Sequence, residues 1–133
     1  MAEKPLDGHP ACPCGSGVDY AGCCGRYIDG DGIPDTAETL MRSRYTAFVR
    51  CDEAYLLATW HPATRPSRVR LDPGQRWLGL QVRSTRDGGL DNHVGSVEFV
   101  VRYKIDGRGH RLHEISRFEC IGGRWYYRDG EHL

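Results

Sequence analysis

The chain has 133 residues, with 18 basic and 18 acidic side chains. This length allows one ordinary domain, alone or with a small extra module. The balanced charge argues against a protein drawn to nucleic acid or to an anionic membrane by its overall field. Met1 to Pro5 contain no apolar segment, and no later run is long enough to cross a membrane. We therefore expect a cytoplasmic protein without a signal peptide.

Four of the six cysteines lie between positions 12 and 24, in the pattern Cys-x-Cys, eight residues, Cys-Cys. The segment 8–32 around them is rich in glycine and has few aliphatic residues. A piece this short and this polar needs a metal or disulfides to fold. The composition changes at Ile33-Pro34-Asp35, which predicts a small module over residues 1–32 and a domain over residues 33–133.

Three chemistries compete for this cluster. Four thiolates complete the tetrahedral shell that zinc prefers, which predicts one structural zinc ion and a closed site without a position for substrate; the predicted ligands are Cys12, Cys14, Cys23 and Cys24. Two disulfides are disfavoured by the reducing compartment and by the strain of a bond between neighbouring cysteines. Redox catalysis is disfavoured because the two-residue spacing of a dithiol active site is absent. Gly15 and Gly17 are expected to supply left-handed turns, and Ser16 is expected to cap a helical turn that follows.

Helical periodicity begins after the module boundary. Asp35 and Glu38 predict a capping box for an amphipathic helix over 36–50. A second helix is predicted from Asp52 to a stop before Pro62. The segment 63–76 is predicted to be a solvated loop, and RNA binding by its arginines is a weaker alternative; these are Arg65, Arg68, Arg70 and Arg76.

From Trp77 onward the apolar residues recur with a period of two. Strands are predicted at 77–82, 97–103 and 111–121, and a Gly122-Gly123 turn is predicted to lead into a return strand over 124–128. Helices followed by antiparallel strands indicate an α+β fold.

The two-residue turn also predicts the pairing of the last two strands: Cys120 with Trp125, Phe118 with Tyr127, and Ser116 with Asp129. Cross-strand partners share a face of the sheet. The apolar face is therefore expected to carry three polar residues as well, Glu114, Ser116 and Asp129.

A buried carboxylate needs a partner. We expect Glu114 to pair with Arg42 or Arg44 and so hold the first helix on the sheet; a functional acid or base in a pocket is the alternative. His61, near the end of the second helix, is expected to interact with the helix dipole, with a place in a pocket as the alternative. The two remaining cysteines are expected at a helix end (Cys51) and as a buried filler (Cys120).

The segment from Cys12 to Gly25, Cys-Pro-Cys-Gly-Ser-Gly-Val-Asp-Tyr-Ala-Gly-Cys-Cys-Gly, resembles the SEC-C motif, the zinc-binding tail of the bacterial translocation ATPase SecA. The resemblance implies the same four zinc ligands, with Cys24 at the position where SecA has histidine.

Four later segments resemble the YchJ-like family of bacterial proteins: 36–48, 55–62, 95–99 and 124–130. This resemblance implies a SEC-C module followed by a domain similar to nuclear transport factor 2. That domain is a cystatin-like cone, in which a curved antiparallel sheet wraps round helices. The resemblance implies no activity.

We therefore expect a zinc-binding adaptor or binding protein, whose knuckle recognises a protein partner and whose cone holds a small pocket. An enzyme of the cone fold, acting on a small apolar molecule by acid–base chemistry, is the alternative; its candidate residues are Glu114, His61 and Tyr45. We rank catalysis lower because the sequence has no phosphate loop and no nucleophile elbow. A factor associated with RNA or the ribosome is weaker still.

Overall fold

The computed structural model describes residues 11–133. A 3-10 turn (Tyr20–Gly22) precedes three helices, which are α1 (Gly25–Ile28), α2 (Ala37–Val49) and α3 (Glu53–Ala58). Four strands follow, namely β1 (Arg76–Asp87), β2 (Val94–Ile105), β3 (Arg108–Ile121) and β4 (Arg124–His132). Across this part of the chain, no helix has the length and apolar character needed to span a membrane. The expectation about a signal peptide, and the start of the predicted module, fall on residues 1–10, outside the described residues.

The two main helices begin at side-chain caps. Asp52 caps α3 as predicted, since its Oδ1 accepts the N–H of Tyr55 at 3.0 Å. For α2 the predicted cap is wrong by one position: Thr36, not Asp35, is the N-cap, and its Oγ1 accepts the N–H of Thr39 at 3.1 Å. The Asp35 carbonyl instead accepts a hydrogen bond from the Trp125 indole at 3.2 Å, which places residue 35 outside the helix.

The four strands form one antiparallel sheet in the order β1-β2-β3-β4. Irregularities in β1, between Trp77 and Gly79 and between Val82 and Ser84, curve the sheet. Its concave face packs on α2 to form the apolar core, which consists of Ala37, Leu40, Met41, Tyr45, Val97, Phe99, Val101, Phe118 and Trp125. The predicted α+β architecture, helices held in a curved antiparallel sheet, is confirmed.

The hairpin between β1 and β2 holds the start of α2 in place. The carbonyl of Gly88 accepts the N–H of Ala37 at 2.9 Å. Gly95 crosses Gly88 so closely that a Cβ at Gly95 would lie 2.4 Å from the Cα of Gly88. Only glycine fits this crossing, which fixes the approach of α2 to the sheet.

The predicted register of β3 and β4 holds near the turn and fails beyond it. The confirmed pairs are Cys120 with Trp125 and Phe118 with Tyr127. Beyond them β4 contains an extra residue, Arg128, so that Ser116 faces Gly130 and Asp129 faces Arg117. The prediction that Asp129 shares the apolar face is therefore wrong. The bulge turns it outward, where its Oδ1 accepts a hydrogen bond from Arg117 Nε at 2.6 Å.

The segment between α3 and β1 forms neither helix nor strand, as predicted. Arg65 donates through Nη2 to the carbonyl of Trp60 at 2.7 Å, and Arg68 lies 3.3 Å from the carboxylate of Glu53. Two of the four arginines in this segment therefore hold the loop on the protein surface.

Candidate functional site

Four thiols converge near the start of the chain. The sulfurs of Cys12, Cys14, Cys23 and Cys24 all lie within 4.8 Å of one another, and three of the four residues are buried. Around a tetrahedral zinc ion with Zn–S bonds of about 2.3 Å, neighbouring sulfurs are roughly 3.8 Å apart. The distance between Cys14 Sγ and Cys23 Sγ is 3.6 Å, and all six cysteines are free thiols. The cluster could therefore hold a metal ion.

The predicted left-handed turns are present at Gly15 and Gly17, whose φ angles are 83° and 85°. Ser16, between them, accepts the N–H of Val18 at 3.2 Å and also contacts a cysteine of the cluster. Its Oγ lies 3.1 Å from Cys23 Sγ. The 3-10 turn that follows has Asp19 as its N-cap, without a side-chain cap bond. The Gly-Ser-Gly sequence thus shapes the cysteine cluster directly.

The electrostatics of the thiols favour a cation. Hydrogen bonds from the thiol of Cys24 and from Ser16 lower the pKa of Cys14 to about 4. Conversely, the hydrogen bond to Cys14 and burial raise the pKa of Cys24, and burial raises the pKa of Cys23. One thiolate is stabilised by its neighbours, and further deprotonation needs positive charge. A divalent cation supplies that charge and releases the protons.

One face of α2 supports the cysteine-rich segment 11–32, which we call the knuckle. The hydroxyl of the fully buried Thr46 lies 3.7 Å from Cys12 Sγ. Arg42 donates through Nη1 to the Cys14 carbonyl at 2.9 Å, and the guanidinium of Arg50 lies 4.4 Å from the ring centre of Tyr20. The knuckle is therefore packed on the larger domain.

These supporting residues were not predicted from the sequence. Their signal is the four-residue spacing of Arg42, Thr46 and Arg50, which places three polar side chains on one side of a helix. The Tyr20 hydroxyl adds a further contact by donating to Asp29 at 2.8 Å. Burial raises the pKa of Tyr20, so this hydroxyl keeps its proton.

The other side of α2 lines a cavity of about 250 Å³ between the helix and the sheet. Its walls are mostly aromatic, and the rings belong to Tyr45, Phe48, Trp60, Trp77, Phe99 and Tyr127. The polar side chains among its other lining residues are Arg44, Glu114 and Ser116. A mainly apolar cavity with a few polar groups is typical of a site for a small molecule.

The predicted ion pair between Glu114 and an arginine of α2 is wrong. Arg42 points to the knuckle side and pairs with Glu38 at 3.0 Å. Glu114 instead lies 3.3 Å from His132, the residue opposite it on β4. The bulge in β4 places His132 opposite Glu114, while Arg42 is held by Glu38 and by the carbonyl of Cys14. Burial raises the pKa of Glu114.

Arg44 reaches the end of α3 and forms no ion pair with Glu114. Its Nη1 donates to the carbonyl of Leu56 at 2.8 Å and to the hydroxyl of Thr59 at 2.7 Å. A cation at the carboxyl end of a helix complements the helix dipole. Arg44 thus has the role predicted for His61, the interaction with the dipole at the end of the second helix.

Only two of the three candidate catalytic residues share the cavity. Glu114 and Tyr45 line it, and the Tyr45 ring meets the edge of Trp77 at a centroid distance of 5.7 Å. His61 does not line it, because its Nε2 contacts the carboxylate of Glu119. Glu119 alternates with the core residue Phe118 and so lies on the opposite face of the sheet.

Cys51 lies at a helix end as predicted, whereas Cys120 is less buried than predicted. Cys51 is exposed beyond the end of α2, with a left-handed φ of 54°. Cys120 is half-buried and packs against the core. Neither belongs to the cluster of four cysteines.

Family comparisons agree with this architecture. Residues 11–26 match the SEC-C motif, and residues 36–130 match the middle, NTF2-like domain of YchJ. The chain is 53% identical over 124 residues to a UPF0225 protein of Streptomyces coelicolor, covering 93% of this chain and 97% of the relative. It is 52% identical over 133 residues to a UPF0225 protein of Ralstonia nicotianae, covering 91% and 90%.

Two solved structures resemble the fold. The first is the solution structure of a SEC-C motif containing protein from Rhodopseudomonas palustris, with a TM-score of 0.80, 32% identity and coverage of 92% of this chain and 98% of that one. The second is the crystal structure of a SEC-C motif containing protein from Psychrobacter arcticus, with a TM-score of 0.73, 29% identity and coverage of 89% and 80%. The chain therefore belongs to the YchJ-like UPF0225 family, with a SEC-C motif ahead of an NTF2-like domain.

Proposed function

We propose that this protein is a zinc-stabilised binding protein of the cytoplasm, in which the metal holds the knuckle and the cavity receives a small molecule. A shell of four thiolates has no open position for a substrate, so the ion is structural. The observation that carries the proposal is the mostly aromatic cavity between α2 and the sheet. Ligand sites in proteins have this character.

Zinc is the ion that best suits the cluster. Tetrahedral sites of four sulfurs select zinc or iron, and a closed structural site in a reducing compartment favours zinc. Native mass spectrometry of the full chain is expected to show one zinc ion per molecule. Replacement by cobalt is expected to give the visible spectrum of a tetrahedral tetrathiolate. Two intact disulfides and no bound metal, after purification under reducing conditions, would contradict the proposal.

A neutral dye tests the cavity. N-phenyl-1-naphthylamine fluoresces in apolar surroundings, and we expect it to bind once per chain. Leu112 lines the cavity and is only half-buried, so Leu112→Trp is expected to obstruct the cavity and remove the fluorescence. Leu90→Trp is the matched control, because Leu90 is 76% exposed and does not line the cavity. Equal dye binding by both variants would exclude the cavity as the ligand site.

An enzyme is the second candidate function. Glu114 and Tyr45 line one cavity, and burial raises the pKa of Glu114, as acid–base chemistry at neutral pH requires. Once a ligand is identified, Glu114→Gln separates the two functions. A variant that binds the ligand but no longer converts it identifies an enzyme. A wild-type protein that returns the ligand unchanged supports a binding protein.

The knuckle is the second recognition surface in this proposal, and its expected partner is another protein. Val18 of the knuckle is 46% exposed, which leaves an apolar side chain for a partner to cover. In cells, Val18→Asp is expected to abolish the crosslink to a specific protein partner. Leu78→Asp is the control and is expected to preserve the crosslink, because Leu78 is a 53% exposed residue of β1, outside the knuckle. Loss of the crosslink after nuclease treatment, with affinity that falls steeply with salt, would point to RNA instead.

A further inference from the structure

The cavity contains a buried positive charge without an anionic partner. Arg44 is only 4% exposed, and among residues 11–133 it forms no ion pair. Both of its hydrogen bonds leave from Nη1, toward Leu56 and Thr59. Burial lowers the pKa of Arg44 to about 10, so the guanidinium is still protonated at neutral pH. A charge in such a place is costly unless an anion joins it.

The side chain of Trp60, next to Arg44, carries a hydrogen-bond donor without a partner among the described residues. The guanidinium carbon of Arg44 lies 4.5 Å from the ring centre of Tyr127 and 5.1 Å from that of Trp60. The indole Nε1–H of Trp60 is buried and, among the described residues, has no acceptor. Both residues line the cavity. A guanidinium and an indole N–H both donate hydrogen bonds and cannot accept them. A ligand that binds both groups must therefore carry a hydrogen-bond acceptor.

We propose that the cavity binds a small aromatic carboxylate, with its carboxylate on Arg44 and its ring among the aromatic side chains. The inference rests on the proposed function and names the ligand class for that same cavity. A planar carboxylate matches the fork of the guanidinium. A phosphate brings more charge into apolar surroundings and is disfavoured. A volume of about 250 Å³ limits the ligand to about two or three aromatic rings, since pockets for drug-sized ligands begin near 300 Å³.

Glu114 does not take the place of this anion. Its carboxylate pairs with His132, and the charge effects on the pKa of Arg44 come from Tyr127 and Tyr55 instead. Burial raises the pKa of Glu114, which favours its neutral form and weakens its repulsion of an anionic ligand. The anion therefore has one cationic partner in the cavity, at the α3 end.

Two ligands of the same shape but different charge test the inference on the zinc-loaded full chain. We expect calorimetry at pH 7 to find 2-naphthoate binding about 10- to 100-fold more tightly than the neutral 2-naphthamide. Equal affinities would overturn the inference and leave the cavity as a ligand site. If neither compound binds and the neutral dye also fails, the proposed function falls together with the inference.

Two variants locate the carboxylate. Arg44→Gln is expected to remove the preference for 2-naphthoate, whereas the matched control Arg83→Gln, at an exposed residue of β1, is expected to keep it. Should Arg44→Gln fail to fold, the NMR spectrum of the wild type still tests the position of the ligand. The Trp60 indole N–H resonance is assigned as the one that disappears in Trp60→Phe. This resonance is expected to shift when 2-naphthoate is added to the wild type. A resonance that does not move would overturn the proposed position of the ligand.

Discussion

The hydroxyl of Thr46, in the middle of α2, lies 3.7 Å from the sulfur of Cys12, although 34 residues separate the two in the chain. Thr46 is fully buried, and Arg42 of the same helix holds the carbonyl of Cys14 at 2.9 Å. The larger domain thus contributes to the surroundings of the metal cluster. The same helix lines the cavity on its other side.

Thr46→Val is expected to weaken zinc binding about 10- to 100-fold while the protein stays folded, because outer partners of metal ligands contribute this much to affinity. Competition with a chromogenic chelator measures the change. Thr85→Val, at an exposed residue of β1, is the control and is expected to leave the affinity unaltered. Identical affinities of the two variants would show that the Thr46 hydroxyl does not support Cys12.

Removal of the metal is expected to unfold the knuckle and spare the sheet. The buried cluster of the knuckle consists of thiols with Tyr20 and Ile28 packed against it, whereas the main core comes entirely from α2 and the strands. In Cys24→Ser, hydrogen exchange is expected to become fast over residues 11–32 and to stay slow in β2 and β3. Cys51→Ser should match the wild type. Retained protection of the knuckle without metal would mean that packing alone folds it.

Glu114→Gln is expected to be more stable than the wild type at neutral pH and to lose this advantage at acid pH. Burial raises the pKa of Glu114 above the ordinary value of about 4.5 for a glutamate, so the folded state holds this proton more tightly than the unfolded state. The wild type therefore loses stability as the pH rises from about 4.5 through the folded pKa. Urea unfolding of both proteins at several pH values measures the difference. A difference that does not vary with pH would contradict the burial of this carboxyl.

Gly95→Ala is expected to lower the free energy of unfolding by about 1–3 kcal/mol, because the added Cβ meets backbone atoms that cannot move aside. That Cβ would lie 2.4 Å from the Cα of Gly88. Gly109→Ala is the matched control, since no atom lies within 4 Å of a Cβ at this strand position. The urea midpoints of the two variants give the comparison, and equal midpoints would contradict the tight crossing of the hairpin.

Local pattern was enough for the main helices, for the existence of the four strands and for the grouping of the cysteines. The helix over 36–50 follows from apolar residues at helical spacing, and the strands follow from their period of two. The cap of α2 was misplaced, because Asp35 and Thr36 both carry side chains able to cap a helix. The short helix α1 was not predicted, and Ser16 does not cap the helical turn as predicted. Cysteine spacing depends on a few neighbouring residues, so the sequence also indicated which thiols meet.

The sequence alone determined a cysteine-rich knuckle followed by helices and an antiparallel sheet, because these features depend on residues close together in the chain. Tertiary structure decided the partners of Glu114, Arg44 and His61. One extra residue in β4 changes which side chains face β3, and the end of α3 supplies the carbonyl that Arg44 binds. Contacts of this kind join residues distant in sequence, and no local period encodes them. For the same reason, the support of Cys12 by Thr46 became visible only in the folded protein.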